Sequence, residues 1–124
     1  MIIEDDIKLD YSDVLIRPKR STLTSRFDVE LERTYTFYHS GMEWTGVPIM
    51  ASNMDTTGTF EMHKVLSQSG MITCIARHYN TDGKLWNEAN NKNKLCVMSG
   101  ISKPEISEIV GIVTTFPDVA FVGL

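Results

Sequence analysis

Long apolar runs are missing from this sequence. None approaches the roughly 20 consecutive apolar residues that a membrane-spanning helix needs, which excludes a membrane partner of that kind. Cysteine is scarce. The two present, Cys74 and Cys96, each sit inside a short apolar run, which reads as buried thiols in a reducing compartment, the cytoplasm, and not as a disulfide or metal site. Basic charge is also in short supply: 12 Lys and Arg against 16 Asp and Glu leave a net charge of −4. Neutralising phosphates requires a basic face, so nucleic acid is excluded as a partner. The start, residues 1–6, turns acidic at once and lacks the charged-then-apolar order of a signal peptide. His39, His63 and His78 have no metal-ligand spacing, and no Gly-x-Gly-x-x-Gly follows any apolar run, which weakens a dinucleotide-binding Rossmann reading.

What is present is the composition of an ordinary globular chain, 42% hydrophobic and 23% charged over 124 residues, enough for one domain with a real core. Residues 1–26 are polar and carry turn signals, and Pro18 holds Arg17 in extended geometry. Val29, Leu31, Arg33, Tyr35 and Phe37 alternate with Glu30, Glu32, Thr34 and Thr36, the period of a strand with one solvated face. A turn at 39–43 containing Gly41, then Trp44 opening a returning strand, completes an N-terminal hairpin. The run 47–51 (Val-Pro-Ile-Met-Ala) reads as a strand covered on both faces. Thr59 is a helix N-cap for a stretch bearing Phe60, His63, Val65 and Leu66, and Gly70 suits its left-handed end. Strands are expected at 71–76, 94–98 and 119–124. Helices are expected at 82–89 and from Pro104 onward, the latter with Ile106, Ile109, Val110 and Val113 at three- and four-residue spacing and a stop at Phe116-Pro117.

Strand and helix thus alternate in units of about 25 residues, which predicts a parallel sheet in an α/β fold. That unit length suits a (β/α)8 barrel, and a whole barrel needs about 200–250 residues. The expectation is therefore a partial (β/α)8 TIM barrel, three βα units and the start of a fourth strand in residues 47–124, behind an extension and hairpin in residues 1–46.

In such barrels functional residues come from the loops after the strands. Ser52, Asn53, Met54, Asp55 and Thr56 form one such loop, where Asn and Asp equally serve as helix-capping turn residues. Arg77, His78 and Tyr79 form the next, either a solvated loop with a packed tyrosine or a surface that grips anions and stacks on bases. Ser99-Gly100 is too short to support a reading. The basic cluster Arg17, Lys19, Arg20 and Arg26 reads as a solvated loop. No acid–base pair is legible, and neither cysteine lies at a strand's C-terminal end, so no catalytic residue is assigned.

The run Leu9-Asp10-Tyr11-Ser12-Asp13-Val14-Leu15-Ile16-Arg17-Pro18-Lys19-Arg20-Ser21-Thr22-Leu23 resembles the opening of GMP reductases and, more loosely, of IMP dehydrogenases. Val47-Pro48-Ile49, then Asn53-Met54-Asp55-Thr56 and Gly58-Thr59-Phe60-Glu61-Met62, is similar to the reductase version of the first barrel strand and helix. Asn53 stands where the dehydrogenases usually have proline, and the short 80–94 connection leaves no room for their inserted regulatory domain.

This resemblance implies NADPH-dependent reductive deamination of GMP to IMP and ammonia in purine salvage, through attack of a cysteine thiolate on the purine. It implies a homo-oligomer, a tetramer in the family, or a complementing C-terminal chain. Ser25 and Arg26 match positions that reach NADPH in a neighbouring subunit. Arg77 matches a cofactor contact that is lysine in reductases, and Ala76 stands where histidine is usual. Ser52 and Met54 match positions lining the nucleotide pocket. The family's cysteine loop, monovalent-cation (K+) site, acid–base residues and phosphate loops are expected beyond Leu124, which makes this chain inactive alone. The alternative is a non-catalytic nucleotide-binding or subunit-interaction fragment.

Overall fold

A computed structural model describes residues 7–124; the acidic start read above lies outside the described residues. The chain divides into two compact units, Met1–Glu30 and Leu31–Leu124, each taken by itself.

In the first unit two single-turn 3-10 helices, Tyr11–Asp13 and Arg26–Asp28, are closed by their own side chains. The Asp13 carboxylate accepts the Asp10 N–H at 2.9 Å, and the Asp28 carboxylate accepts the Ser25 N–H at 3.0 Å. Short polar side chains that satisfy nearby backbone donors favour such turns over longer helix. Between the turns residues 14–23 have no helix, as Pro18 demands. Every described residue of this unit is exposed.

In the second unit β1 (Arg33–Thr36) and β2 (Glu43–Gly46) form the antiparallel hairpin, with Tyr35 opposite Trp44 and the Thr34 and Thr45 hydroxyls 2.8 Å apart. The ladder is shorter than the alternation suggests, and the face expected to be buried is largely open: Leu31 is 61% and Tyr35 47% exposed. Phe37 of that face is half-buried and meets Phe121 at 5.6 Å, and the partner strand adds Trp44, which is buried in the same cluster.

A parallel sheet follows in the order β3 (Met50–Ala51), β4 (Ile72–Ile75), β5 (Leu95–Met98), β6 (Phe121–Gly123). Between them run α1 (Phe60–Leu66), α2 (Gly83–Glu88) and α3 (Lys103–Thr115). The run 47–51 does not form the doubly covered strand expected. Pro48 sits at the centre of a tight turn closed by the Ile49 N–H on the Val47 carbonyl at 2.7 Å, leaving only two residues to pair. β3 pairs on one side alone among the described residues, so Ile49 and Met50 remain 58% and 48% exposed.

The helix ends are where the sequence signals put them. The Thr59 hydroxyl accepts the Met62 N–H at 3.1 Å, Asp82 caps α2 through the Leu85 N–H at 3.1 Å, and Gly70 takes a left-handed φ of 72°. The sheet then has two covered faces. Ile75, Leu95 and Val97 pack under Phe60, Trp86, Ile109 and Ile112. Each fully buried aliphatic side chain there contributes roughly 1.5–3 kcal/mol. Ile72, Cys74 and Cys96 lie on the other face against Trp44, with Met98 and Phe121 half-buried beside them.

Candidate functional site

Four parallel strands in one sheet deliver the loops after β3, β4 and β5 to a common edge, the place where parallel α/β sheets bind ligands. The loop after β3 carries Ser52 and Met54, both exposed. It turns on the Met54 carbonyl, which accepts the N–H groups of Thr57 and Gly58 at 2.9 and 2.6 Å. Gly58 returns its own carbonyl to the Ala76 N–H at 2.8 Å. A Cβ at Gly58 would run into the Cys74 carbonyl, the Ala76 nitrogen and the Asn53 Cα, so only glycine lets these two loops lie so close.

The loop after β4 is a 3-10 turn, Arg77–Tyr79. Tyr79 is packed, its ring edge-on to Phe60 at 5.7 Å. His78 lies over the Tyr79 ring at 4.1 Å and reaches the Asp55 carboxylate of the neighbouring loop at 3.6 Å. Asn80, buried, donates from Nδ2 to the Met98 carbonyl at 2.9 Å at the end of β5. Arg77, half-exposed, forms an ion pair with Glu105 in the first turn of α3. Glu105 in turn accepts from the Ser102 N–H at 3.1 Å and the Ser102 hydroxyl at 2.6 Å. Those two bonds, and then the Arg77 cation, hold its carboxyl below the ordinary glutamate range.

The structure therefore brings Ser52, Met54 and Arg77 to one edge of the sheet. Ser25 and Arg26 lie in the other unit: Ser25 caps its 3-10 turn through the Phe27 N–H, and the Arg26 guanidinium stands 5.3 Å from the Phe27 ring centroid. Sequence reasoning missed Glu105 and Asp55 as partners of the second loop. For Glu105 the signal was there, since Ser102-x-x-Glu105 is a capping-box spacing. Its pairing with Arg77, 28 residues away, was not.

Other titratable groups lie off this edge. His63 on α1 is buried, with Nε2 against the Asn90 carbonyl at 2.6 Å, and it lines a cleft of about 440 Å³ between α1 and α2. Desolvation lowers its pKa below the ordinary histidine value, with Lys92 adding in the same direction and the Asn90 bond opposing. A second cleft of about 420 Å³ runs between the hairpin and residues 91–93. Hydrogen bonding from Cys96 lowers the Cys74 pKa, and that same bond with burial pushes Cys96 far up. Both thiols are free and buried within strands, away from the loop edge.

The architecture is that of an α/β chain whose parallel strands end in a common set of loops, among them the Arg77–Tyr79 turn. No family model matches the chain. It is 47% identical over 126 residues to a GMP reductase of Klebsiella pneumoniae and 45% identical over 125 residues to GMP reductase 1 of Homo sapiens. A GMP reductase of Citrobacter koseri is 45% identical over 128 residues. Each match takes in 98% of this chain and 36% of the relative, so the chain spans about a third of the length of the curated relatives it matches. Nearly the whole chain is thus similar to the N-terminal third of proteins named GMP reductase.

Proposed function

We propose that this chain is the cofactor-side N-terminal portion of an NADPH-dependent GMP reductase built on a (β/α)8 barrel, within a cytoplasmic homo-oligomer. The observation that carries the reading is identity of 45–47% along nearly the whole chain to proteins named GMP reductase. The family reaction consumes GMP, NADPH and two protons and yields IMP, ammonium and NADP+. NADPH supplies the hydride when bound, and the protein supplies orientation and charge.

The donor set on the loop edge fits an anionic cofactor. Arg77 keeps a half-exposed guanidinium that pairs with Glu105 through Nη2, and His78 and Tyr79 add an aromatic surface beside it. In this reading Ser25 and Arg26 reach NADPH held by a neighbouring subunit, and Ser52 and Met54 line the nucleotide pocket. The nucleophilic thiol, the acid–base groups and the K+ site belong to the remaining two-thirds of the family's sequence. Neither Cys74 nor Cys96 takes the nucleophile's part, since both are buried in mid-strand.

The test is NADPH oxidation, followed at 340 nm, with GMP and the purified chain. No turnover is expected from the chain alone, and turnover is expected when a C-terminal portion of a relative is added. Turnover by the chain alone would overturn the assignment of the chemistry to residues outside it. A second reading is favoured by the edges of β3 and β6, open among the described residues: a fragment that joins intact reductase subunits and changes their assembly. Loss of activity in an intact reductase mixed with this chain would select that reading.

A further inference from the structure

Cys74 and Cys96 are 22 positions apart in sequence, and nothing in their spacing suggests a pair. The sheet makes them one. β4 and β5 run parallel with Cys74 opposite Cys96, strands about 4.8 Å apart, so both thiols leave the same face of the sheet side by side. Met98, two residues on, returns to that face and brings its Sδ to 3.8 Å from the Cys96 Sγ. Gly123, paired with Met98 on β6, makes room for this: a Cβ there would collide with the thioether and lie 3.7 Å from the Cys96 Sγ. Three sulfurs from two strands thus share one patch, roofed by Trp44, Ile72 and Phe121.

We propose that Cys74, Cys96 and Met98 form a binding site for a soft, thiophilic metal ion, with monovalent copper as its best-matched occupant. The donor chemistry selects it: two thiols and a thioether, with no carboxylate or imidazole in the cluster, suit Cu(I) and not the harder divalent cations. The Cys96 and Met98 sulfurs are 3.8 Å apart and the Cys74 thiol hydrogen-bonds that of Cys96, so each neighbouring pair is close enough to share one ion at about 2.3 Å from each sulfur. Binding forms two Cu–thiolate bonds and one Cu–thioether contact and releases the two thiol protons to solvent, with no change of oxidation state. The cluster then carries one negative charge. Trp44, in the same cluster, bears the Lys94 ammonium over its ring at 4.3 Å. Met98 is only half-buried and lies one strand from the sheet's edge, which gives the ion a way in. The site is independent of the reductase reading, because it uses none of the loop-edge residues.

The experiment titrates the reduced 124-residue chain anaerobically into Cu(I) held by a coloured bicinchoninate chelator. One equivalent of Cu(I) per chain should leave the chelator. Cys74→Ala and Cys96→Ala should each lose the site. The volume-conserving Met98→Leu should fold normally by circular dichroism yet bind about tenfold more weakly. Failure of the wild-type chain to take copper would overturn the proposal, as would a Met98→Leu variant that binds as tightly as wild type. The copper titration uses the unaltered chain, so it decides the matter even if a cysteine variant fails to fold.

Discussion

The Arg77 guanidinium pairs with the Glu105 carboxylate, tying the loop after β4 to the first turn of α3. Glu105 is thereby both a helix cap and the counter-ion of the one loop-edge residue matched to a cofactor contact. Its carboxyl is held below the ordinary glutamate value by Ser102 and then Arg77. A carboxyl depressed in the folded state contributes stability above its unfolded value, and that contribution is lost as pH falls through the folded value. The chain should therefore lose thermal stability on acidification below the ordinary glutamate range, and Glu105→Gln should flatten that part of the profile. Melting temperature recorded from pH 6 to pH 3 checks this; identical profiles for the two proteins would show that the pair carries no linkage.

His63 works in a second pH window. Its pKa is lowered by burial, so the unfolded chain binds a proton more readily than the folded one. Stability is then full above the ordinary histidine value of about 6.5 and declines as pH falls through it toward the lowered folded value. Urea midpoints should fall between pH 7.5 and pH 5. His63→Leu should remove that slope while losing about 1 kcal/mol for the missing bond to the Asn90 carbonyl. A variant that keeps the slope would place its origin elsewhere.

Trp86 anchors the helix-covered face. It is buried against Phe60 and Phe116, with ring centroids at 5.3 and 6.1 Å, and its Nε1 donates to the Tyr79 carbonyl at 2.9 Å. Trp86→Ala should cost about 3–5 kcal/mol, through lost burial and the cavity left behind. Trp86→Phe keeps most of the volume, removes one of the two hydrogen bonds to the Tyr79 carbonyl, which still accepts the Asp82 N–H at 3.0 Å, and should cost less. Because that carbonyl belongs to the Arg77–Tyr79 turn, the Phe variant should also loosen the site loop, read as faster amide exchange at residues 77–80.

How far the fold was legible follows from the range of each determining contact. Thr59, Gly70, Asp82 and Pro104 act within one helical turn of themselves, and each marks its element where the sequence suggests. The parallel sheet is legible because the βα alternation leaves few other arrangements. What fails is what a neighbour decides. Met50 and Ile49 read as core, but β3 pairs on one side only among the described residues, and Pro48 spends its backbone on a turn. Leu31 and Tyr35 read as part of the hairpin's covered face, yet they are exposed while Trp44 on the partner strand is buried. At the site, Arg77 is visible from its position after an apolar run. Glu105 and the Cys74–Cys96 register are not, because both depend on residues more than 20 positions away meeting across the sheet.

Both edges of the parallel sheet are open among the described residues, and the last prediction follows from that. β3 and β6 each hydrogen-bond on one side, and Met50, Val122 and Leu124 are 48%, 52% and 80% exposed. An exposed parallel edge bearing apolar side chains is a template for another strand, and charge placed on it blocks pairing. The isolated chain should associate with itself. Sedimentation velocity across about 5–100 µM, the range over which partly open folds associate, should show species heavier than the 14.0 kDa monomer, increasing with concentration. Val122→Lys should shift the distribution toward monomer without lowering helix content, because the side chain is half out of the core already. A compact monomer at every concentration would mean that the edges are covered by the chain itself, and an unchanged distribution for Val122→Lys would place the association on β3 instead.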